Sequence, residues 1–451
     1  MLEYLYIPII LFLYLRTWKY KFLIDDPVPR DGYMYVITEG KETTKWRGLT
    51  INRGKEFYEQ KKPLHQTVVN IGTFLGVCGY IHYLWGWQSA LLYAVFPLNV
   101  SSVAWGRTGS YYSATVLLIL ASFTFVKYGL WGNIVSALFF TAALNSTLSS
   151  IPYLVIALLY PFGWIQIWPL IAFFMGKRWK AGWNQRLVQH EKRNVQAGKF
   201  HIRNLIRCYK VIAYYIYLTV WPKRLGFFHE EGRQKDYMTV KKTICACFLV
   251  TLWIYVTVRI DPFMALWWIV FIGIYSQFTT MGQYITERYT FLSNVAFCVI
   301  FAKVLAPYPI LFTIVSTLYF CRSLQYIPAW KDNQTLFSYS MTQFPKAPEN
   351  YNNLASHYLD YKQFYSALKP LLLAYKYTEG FKYNIIANLG STYGQLGEFK
   401  KALDYTIEAR RQPDCPKDQI EALTVQEQNI RLRLQRVHEN KRVLKKMKIL
   451  D

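Results

Sequence analysis

The feature that most limits what this chain can become is a series of long stretches almost free of ionisable side chains, among them Ile151–Gly176, Thr243–Val258 and Pro262–Phe278. A helix needs roughly 20 mostly apolar residues to cross a bilayer, and a soluble core made of such segments would require a far larger domain around it. Composition agrees. Of 451 residues, 53% are hydrophobic and 18% aromatic, but only 18% are charged, against about 25% in soluble domains. The sequence therefore predicts an all-α, multi-pass integral membrane protein.

Hydropathy and helix breakers predict about 11 crossings, at roughly 2–20, 64–84, 88–105, 110–127, 130–146, 151–176, 206–222, 242–258, 262–280, 291–306 and 308–322. Pro161 and Pro169 mark the sixth as kinked or split. The first apolar stretch, Leu2–Leu15, has neither a basic leader nor a small-residue cleavage site, and reads as a retained helix. Charge orients the set. The segment Lys177–Lys210 holds 10 Lys/Arg and one acid, whereas in the Asp25–Pro63 loop 8 Lys/Arg face 7 acids. The positive-inside rule makes the first cytoplasmic and the second external. Counting outward puts Arg107, residues 223–241, the Glu287-Arg288 turn and the C-terminal region on the external side, periplasmic in a bacterial inner membrane or lumenal in the endoplasmic reticulum. Much of the net charge of +25 flanks predicted membrane helices, where anionic lipid is a simpler partner than nucleic acid.

The C-terminal region repeats itself. Leu354, Tyr358 and Ala367 recur as Leu389, Tyr393 and Ala402, each 35 positions on. That is the tetratricopeptide period to within one residue, so the chain divides into a membrane domain, 1–328, and an extracytoplasmic domain of tetratricopeptide-like repeats, 329–451. Such arrays bury a core by stacking and present a peptide-binding face, the expected place for a protein acceptor or partner subunit.

Four segments carry chemistry. Asp25-Asp26 follow the first predicted helix, where a carboxylate at the membrane surface can act as a general base or be a solvated helix end. The run from Phe96 to Ser113 has more small and polar residues than a hydrophobic hairpin needs. In it, Arg107 can make paired hydrogen bonds to a phosphate or reach lipid headgroups. Glu287-Arg288 interrupt an apolar region, where ionisable residues are costly and tend to be functional; a loop ion pair is the plainer alternative. The run Trp221–Glu231 combines a helix stop with Lys223, Arg224 and His229. Its cations suit a leaving group, although a lone histidine is more often structural. The 7 cysteines lie mostly in apolar stretches, and Cys245 and Cys247 diverge on a helix, so no metal site is expected.

Five elements spread over nearly the whole chain then resemble the GT-C superfamily of membrane glycosyltransferases, closest to the O-mannosyltransferases that join membrane helices to tetratricopeptide repeats and to their bacterial relatives. They are Asp25-Asp26, Lys61-Lys62-Pro63-Leu64, the segment from Phe96 to Arg107, the element Glu287-Arg288-Tyr289, and the junction Arg322–Leu336, with Arg322, Ser323, Tyr326, Trp330, Asp332 and Asn333 in the family's order. The sequence departs from the family at Phe96, where the family has His, at Ser101 or Ser102, where it has an acid, and at Glu287, where the acid is the longer one.

The resemblance implies inverting transfer of a sugar, mannose in that family, from a polyprenyl-phosphate donor to a protein or glycan hydroxyl. Asp25 or Asp26 would be the base. Arg288, Arg107, Lys223, Arg224, His229 and Glu287 would hold the donor. No organic cofactor is implied, and divalent metal use stays open. A scaffold that binds partners through its repeats, a ligase or polymerase using a lipid-diphosphate glycan, and a transporter are the alternatives.

Overall fold

The computed structural model describes residues 2–21, 23, 36–38, 41–43, 64–175, 202–229, 240–276, 285–378, 383–413, 415 and 417–446. They form 19 α-helices, with one small antiparallel strand pair, Val36–Thr38 with Lys41–Thr43. Among the described residues, four helices are long and apolar enough to cross a membrane: Leu64–Trp85, Thr108–Phe125, Val240–Ile260 and Pro309–Lys331. Four more apolar helices are shorter: Leu148–Ala157, Gly163–Met175, Pro262–Gly273 and Ser293–Leu305.

Several of the expected spans are interrupted, and the interruptions have local causes. The first predicted span breaks after Tyr6–Tyr14 into a 3-10 turn, Leu15–Lys19. The third stops at Val95 because Phe96 precedes Pro97 and is extended, as the steric clash with a following proline ring requires. The sixth breaks where Phe162 adopts a left-handed φ of 62° between Pro161 and Gly163. A Cβ on Gly163 would fall 1.9 Å from the Ala157 carbonyl oxygen, so only glycine closes that turn.

The stretch rich in small residues folds as a 3-10 turn, Pro97–Asn99, a short helix, Ser101–Ala104, and the start of Gly106–Phe125. Three turns so close together leave carbonyls exposed inside the bundle. Asn70, from the Leu64–Trp85 helix, donates to Val103 O at 3.0 Å and Gly106 O at 2.7 Å. Ser113 Oγ donates to Ser102 O at 2.9 Å. Gly109 lets the backbones meet, since its Cβ would lie 3.0 Å from both Ser101 O and Ser102 O. Buried polar groups need such partners.

Beyond the bundle, Asn333–Gln343 packs on Pro348–Asp360. The hairpin Pro348–Asp360/Phe364–Tyr377 is followed by the hairpin Tyr383–Gln395/Phe399–Arg411 and by the long helix Lys417–Lys446. The two hairpins repeat in backbone detail. Lys362 and Gly397 both have positive φ, 56° and 80°. Gln363 N bonds Tyr358 O at 2.9 Å, and Glu398 N bonds Tyr393 O at 3.0 Å, the same helix-ending hydrogen bond in each. Leu354 and Leu389, and Ala367 and Ala402, are buried at matching positions.

Candidate functional site

After Val220 the chain leaves its helix at Trp221-Pro222 and runs without regular structure to His229. Leu225, Gly226, Phe227, Phe228 and His229 are all buried. Residues of the bundle and of the helices that follow it hold this strap in place. Arg322 donates to Pro222 O at 2.9 Å and to Lys223 O at 2.7 Å. Arg224 Nε donates to Gln343 O at 2.8 Å, satisfying a carbonyl at a helix end. Phe227 N donates to Ser340 Oγ at 2.9 Å, and Asn350 Nδ2 donates to Phe228 O at 3.0 Å.

Opposite the strap lies the 3-10 turn Glu287–Thr290. Thr290 Oγ1 donates to Glu287 O at 2.8 Å and Ser293 Oγ to Thr290 O at 2.9 Å, so local side chains shape the turn. It packs on Pro97–Asn99 and on Ser101–Ala104. Asn294 Nδ2 donates to Asn99 Oδ1 at 2.8 Å, and Tyr93 OH donates to Phe291 O at 3.3 Å. These bonds fix the turn to the interrupted helix.

The two segments meet at Glu287. Gly226 N donates to its Oε1 at 2.6 Å, and His229 Nε2 lies 3.4 Å from the same oxygen. Tyr214 OH is 3.0 Å from His229 Nδ1, and the Phe344 ring lies against the imidazole, centroids 4.1 Å apart. His229 Nε2 and Glu287 Oε2 are both fully buried. The carboxylate also acts on the buried Tyr326 phenol. Beside it, the Arg288 guanidinium sits over three rings, Phe227 at 5.0 Å, Trp105 at 5.3 Å and Tyr289 at 5.9 Å. Ring faces attract a cation, more strongly when water is excluded, and Arg288 is only 9% exposed. Ser101 and Ser102 add two buried hydroxyls without hydrogen-bond partners. Among the described residues, no three His, Cys, Asp or Glu side chains gather as ligands for a metal ion.

Of the residues singled out from sequence, His229, Glu287 and Arg288 come together. Lys223 is exposed on the strap's rim. Arg224 points into the joint with the repeats, its guanidinium also lying over Phe344 at 4.7 Å. Arg107 occupies the first turn of Gly106–Phe125, and its side chain lies outside the described residues. So do Asp25 and Asp26, but the chain just before them is anchored. Lys21 N bonds Lys331 O at 2.9 Å, Arg16 Nη2 bonds Leu324 O at 3.2 Å, and Leu23 is buried. The sequence did not point to Gly226, Tyr214, Ser340, Phe344 or Asn350. Gly226 offered the one readable signal, a glycine inside a run of bulky residues. A Cβ there would lie 3.0 Å from the Phe344 ring and 3.2 Å from Ser340 Oγ.

Comparison with protein-family models, with curated proteins and with solved structures finds no match to this chain.

Proposed function

We propose that this chain is a membrane glycosyltransferase of the GT-C type, moving a sugar from a polyprenyl-phosphate donor to a protein or glycan hydroxyl, with tetratricopeptide-like repeats on the same extracytoplasmic side. One observation carries the reading. Arg288, Glu287 and His229 are buried together where the interrupted helix, the strap and the junction into the repeats converge, and the interrupted helix, the Glu287-Arg288 turn and the junction bear the family resemblance. A guanidinium fixed in low dielectric is already oriented to stabilise phosphate charge as it develops.

In the transfer, an aspartate after the first helix, Asp25, takes the proton of the acceptor hydroxyl. The acceptor oxygen bonds to the anomeric carbon as the bond from that carbon to the phosphate oxygen breaks. Polyprenyl phosphate departs with the electron pair, and the anomeric configuration inverts. Arg288 compensates the phosphate charge, with Arg107 and Lys223 as further cations; Glu287 holds the Arg288 turn in register through Gly226 N–H. Asp26 precedes Pro27, which restricts its backbone and suits it to bracing.

A second reading, a non-catalytic assembly factor, is favoured by one observation: Arg224, Ser340 and Asn350 all bind the repeats to the membrane domain, as a scaffold would need. Mass spectrometry of glycoproteins and glycans with and without the gene separates the two. The enzyme reading expects loss of one glycan class and consumption of polyprenyl-phosphate sugar by purified protein. It also expects Asp25→Asn to lower turnover about 10²- to 10⁴-fold. No change in any glycan leaves the scaffold, whereas wild-type turnover in Asp25→Asn removes Asp25 as the base.

A further inference from the structure

The repeat region reads from sequence as a module that selects acceptors, separable from the donor chemistry in the membrane domain. Contacts at the strap contradict that separation. Four of its residues are held by the span 340–350: Arg224 by Gln343, Phe227 by Ser340, Phe228 by Asn350 and His229 by the Phe344 ring. The strap's other side reaches into the site. Gly226 N–H is on Glu287 Oε1, and the Phe227 ring is one wall of the box around Arg288. Gly226 and Phe227 are adjacent, so one amide faces Glu287 and the next faces Ser340. The two amides are one residue apart, so a shift at either hydrogen bond is passed to the other along one short stretch of backbone.

We infer that Ser340, Phe344 and Asn350 are positioning residues for Glu287 and Arg288: the first helices of the repeat region are structural members of the candidate site. They act on it through a chain of packed and hydrogen-bonded groups. They do not touch the reacting atoms. The positional claim stands on geometry alone; its link to donor binding rests on the glycosyltransferase reading.

Both links are tested in the full chain in detergent. Hydrogen–deuterium exchange is followed in peptides covering 224–229 and 285–291, and affinity is measured for a polyprenyl phosphate carrying no sugar. The variants are Asn350→Ala and Ser340→Ala. Leu371→Val is the control, since it loosens the buried core of the first hairpin without touching the strap. Exchange in 224–229 and 285–291 is expected to quicken several-fold in both variants and to stay as in wild type in the control. Polyprenyl phosphate affinity is expected to fall about five- to tenfold, the scale of one buried hydrogen bond whose partner is left unsatisfied, while Tm falls no further than in the control. Quickened exchange confined to 333–360, or equal quickening of 285–291 in Leu371→Val, overturns the inference. Loosening at 285–291 with unchanged lipid affinity upholds the positioning and removes the donor site instead. Should Asn350→Ala not fold, Ser340→Ala, lacking a single oxygen, carries the test.

Discussion

The joint at Glu287 and the repeat hairpins are held together in opposite ways. At the joint, partners are far apart in the chain: Phe227 and Ser340 are 113 positions apart, Phe228 and Asn350 122. Both are polar, buried and made once. In the hairpins the decisive contacts are apolar and local, and they are made twice, at Leu354 and Leu389 and at Ala367 and Ala402. Repetition makes the hairpins tolerant, because each unit contributes its own share and its interface with the next. The joint has no such redundancy, so a single change there removes a constraint nothing else supplies.

The sharpest test of that contrast is Glu287→Ala. It removes the acceptor for Gly226 N–H and the carboxylate beside His229, and should cost about 1–3 kcal/mol, the range for leaving a buried donor without its partner. Unfolding in detergent measures it, and Glu287→Gln, which keeps an oxygen for Gly226, should lose clearly less. A Glu287→Ala protein as stable as wild type would erase the distinction. Within the repeats, Gly390→Ala puts a Cβ 2.9 Å from Thr406 Oγ1 and 3.2 Å from Thr406 N. It should cost about 1–3 kcal/mol, as overpacking does. Limited proteolysis should find the new weakness within 383–411 and leave 285–291 protected. The smallest effect has the opposite sign. Lys362 holds the left-handed turn that Gly397 holds in the second hairpin, a conformation costing an L-residue roughly 1–2 kcal/mol. Lys362→Gly should stabilise the first hairpin by about 0.5–1 kcal/mol, after allowing for glycine's greater freedom when unfolded. A loss of stability there would mean the two turns are not equivalent.

The same contrast explains what was legible in the sequence. Apolar composition located most helices of the bundle to within a few residues: the expectations at 64–84 and 242–258 became Leu64–Trp85 and Val240–Ile260. It failed where a proline, a glycine or a polar pair broke an apolar run, because hydropathy averages over such points. It also cannot tell lipid-facing from protein-buried surface. Val240–Ile260 exposes Ile244, Phe248 and Tyr255, whereas Ser293–Leu305 is buried along nearly its whole length. The likeness of the two hairpins was legible because their sequence pattern is periodic. At the site, Glu287, Arg288 and His229 stood out as ionisable groups in apolar surroundings. Gly226 acts through a backbone amide, and Ser340 and Asn350 are ordinary polar residues on helices, so their chemistry leaves no local trace. The junction Arg322–Leu336 was recognised as a pattern, and the structure gives its members separate tasks. Arg322 braces the strap, Ser323 Oγ bonds Val95 O at 2.7 Å, and Asp332 caps Asn333–Gln343 through Thr335 N at 2.8 Å.

The order of the chain gives the strap a consequence for biogenesis. A ribosome makes the protein from its N-terminus, at some 5–20 residues per second, so residues 224–229 and 285–290 leave the tunnel seconds before Ser340 and Asn350 exist to receive them. Throughout that interval the Phe227 amide and the Phe228 carbonyl lack their final partners inside a half-inserted protein. Nascent chains that stall or are cut before residue 350 therefore carry a visible defect, two polar groups stranded next to apolar helices. The strap is thus completed only when residue 350 has emerged, so its fixing belongs to a late stage of the chain's synthesis.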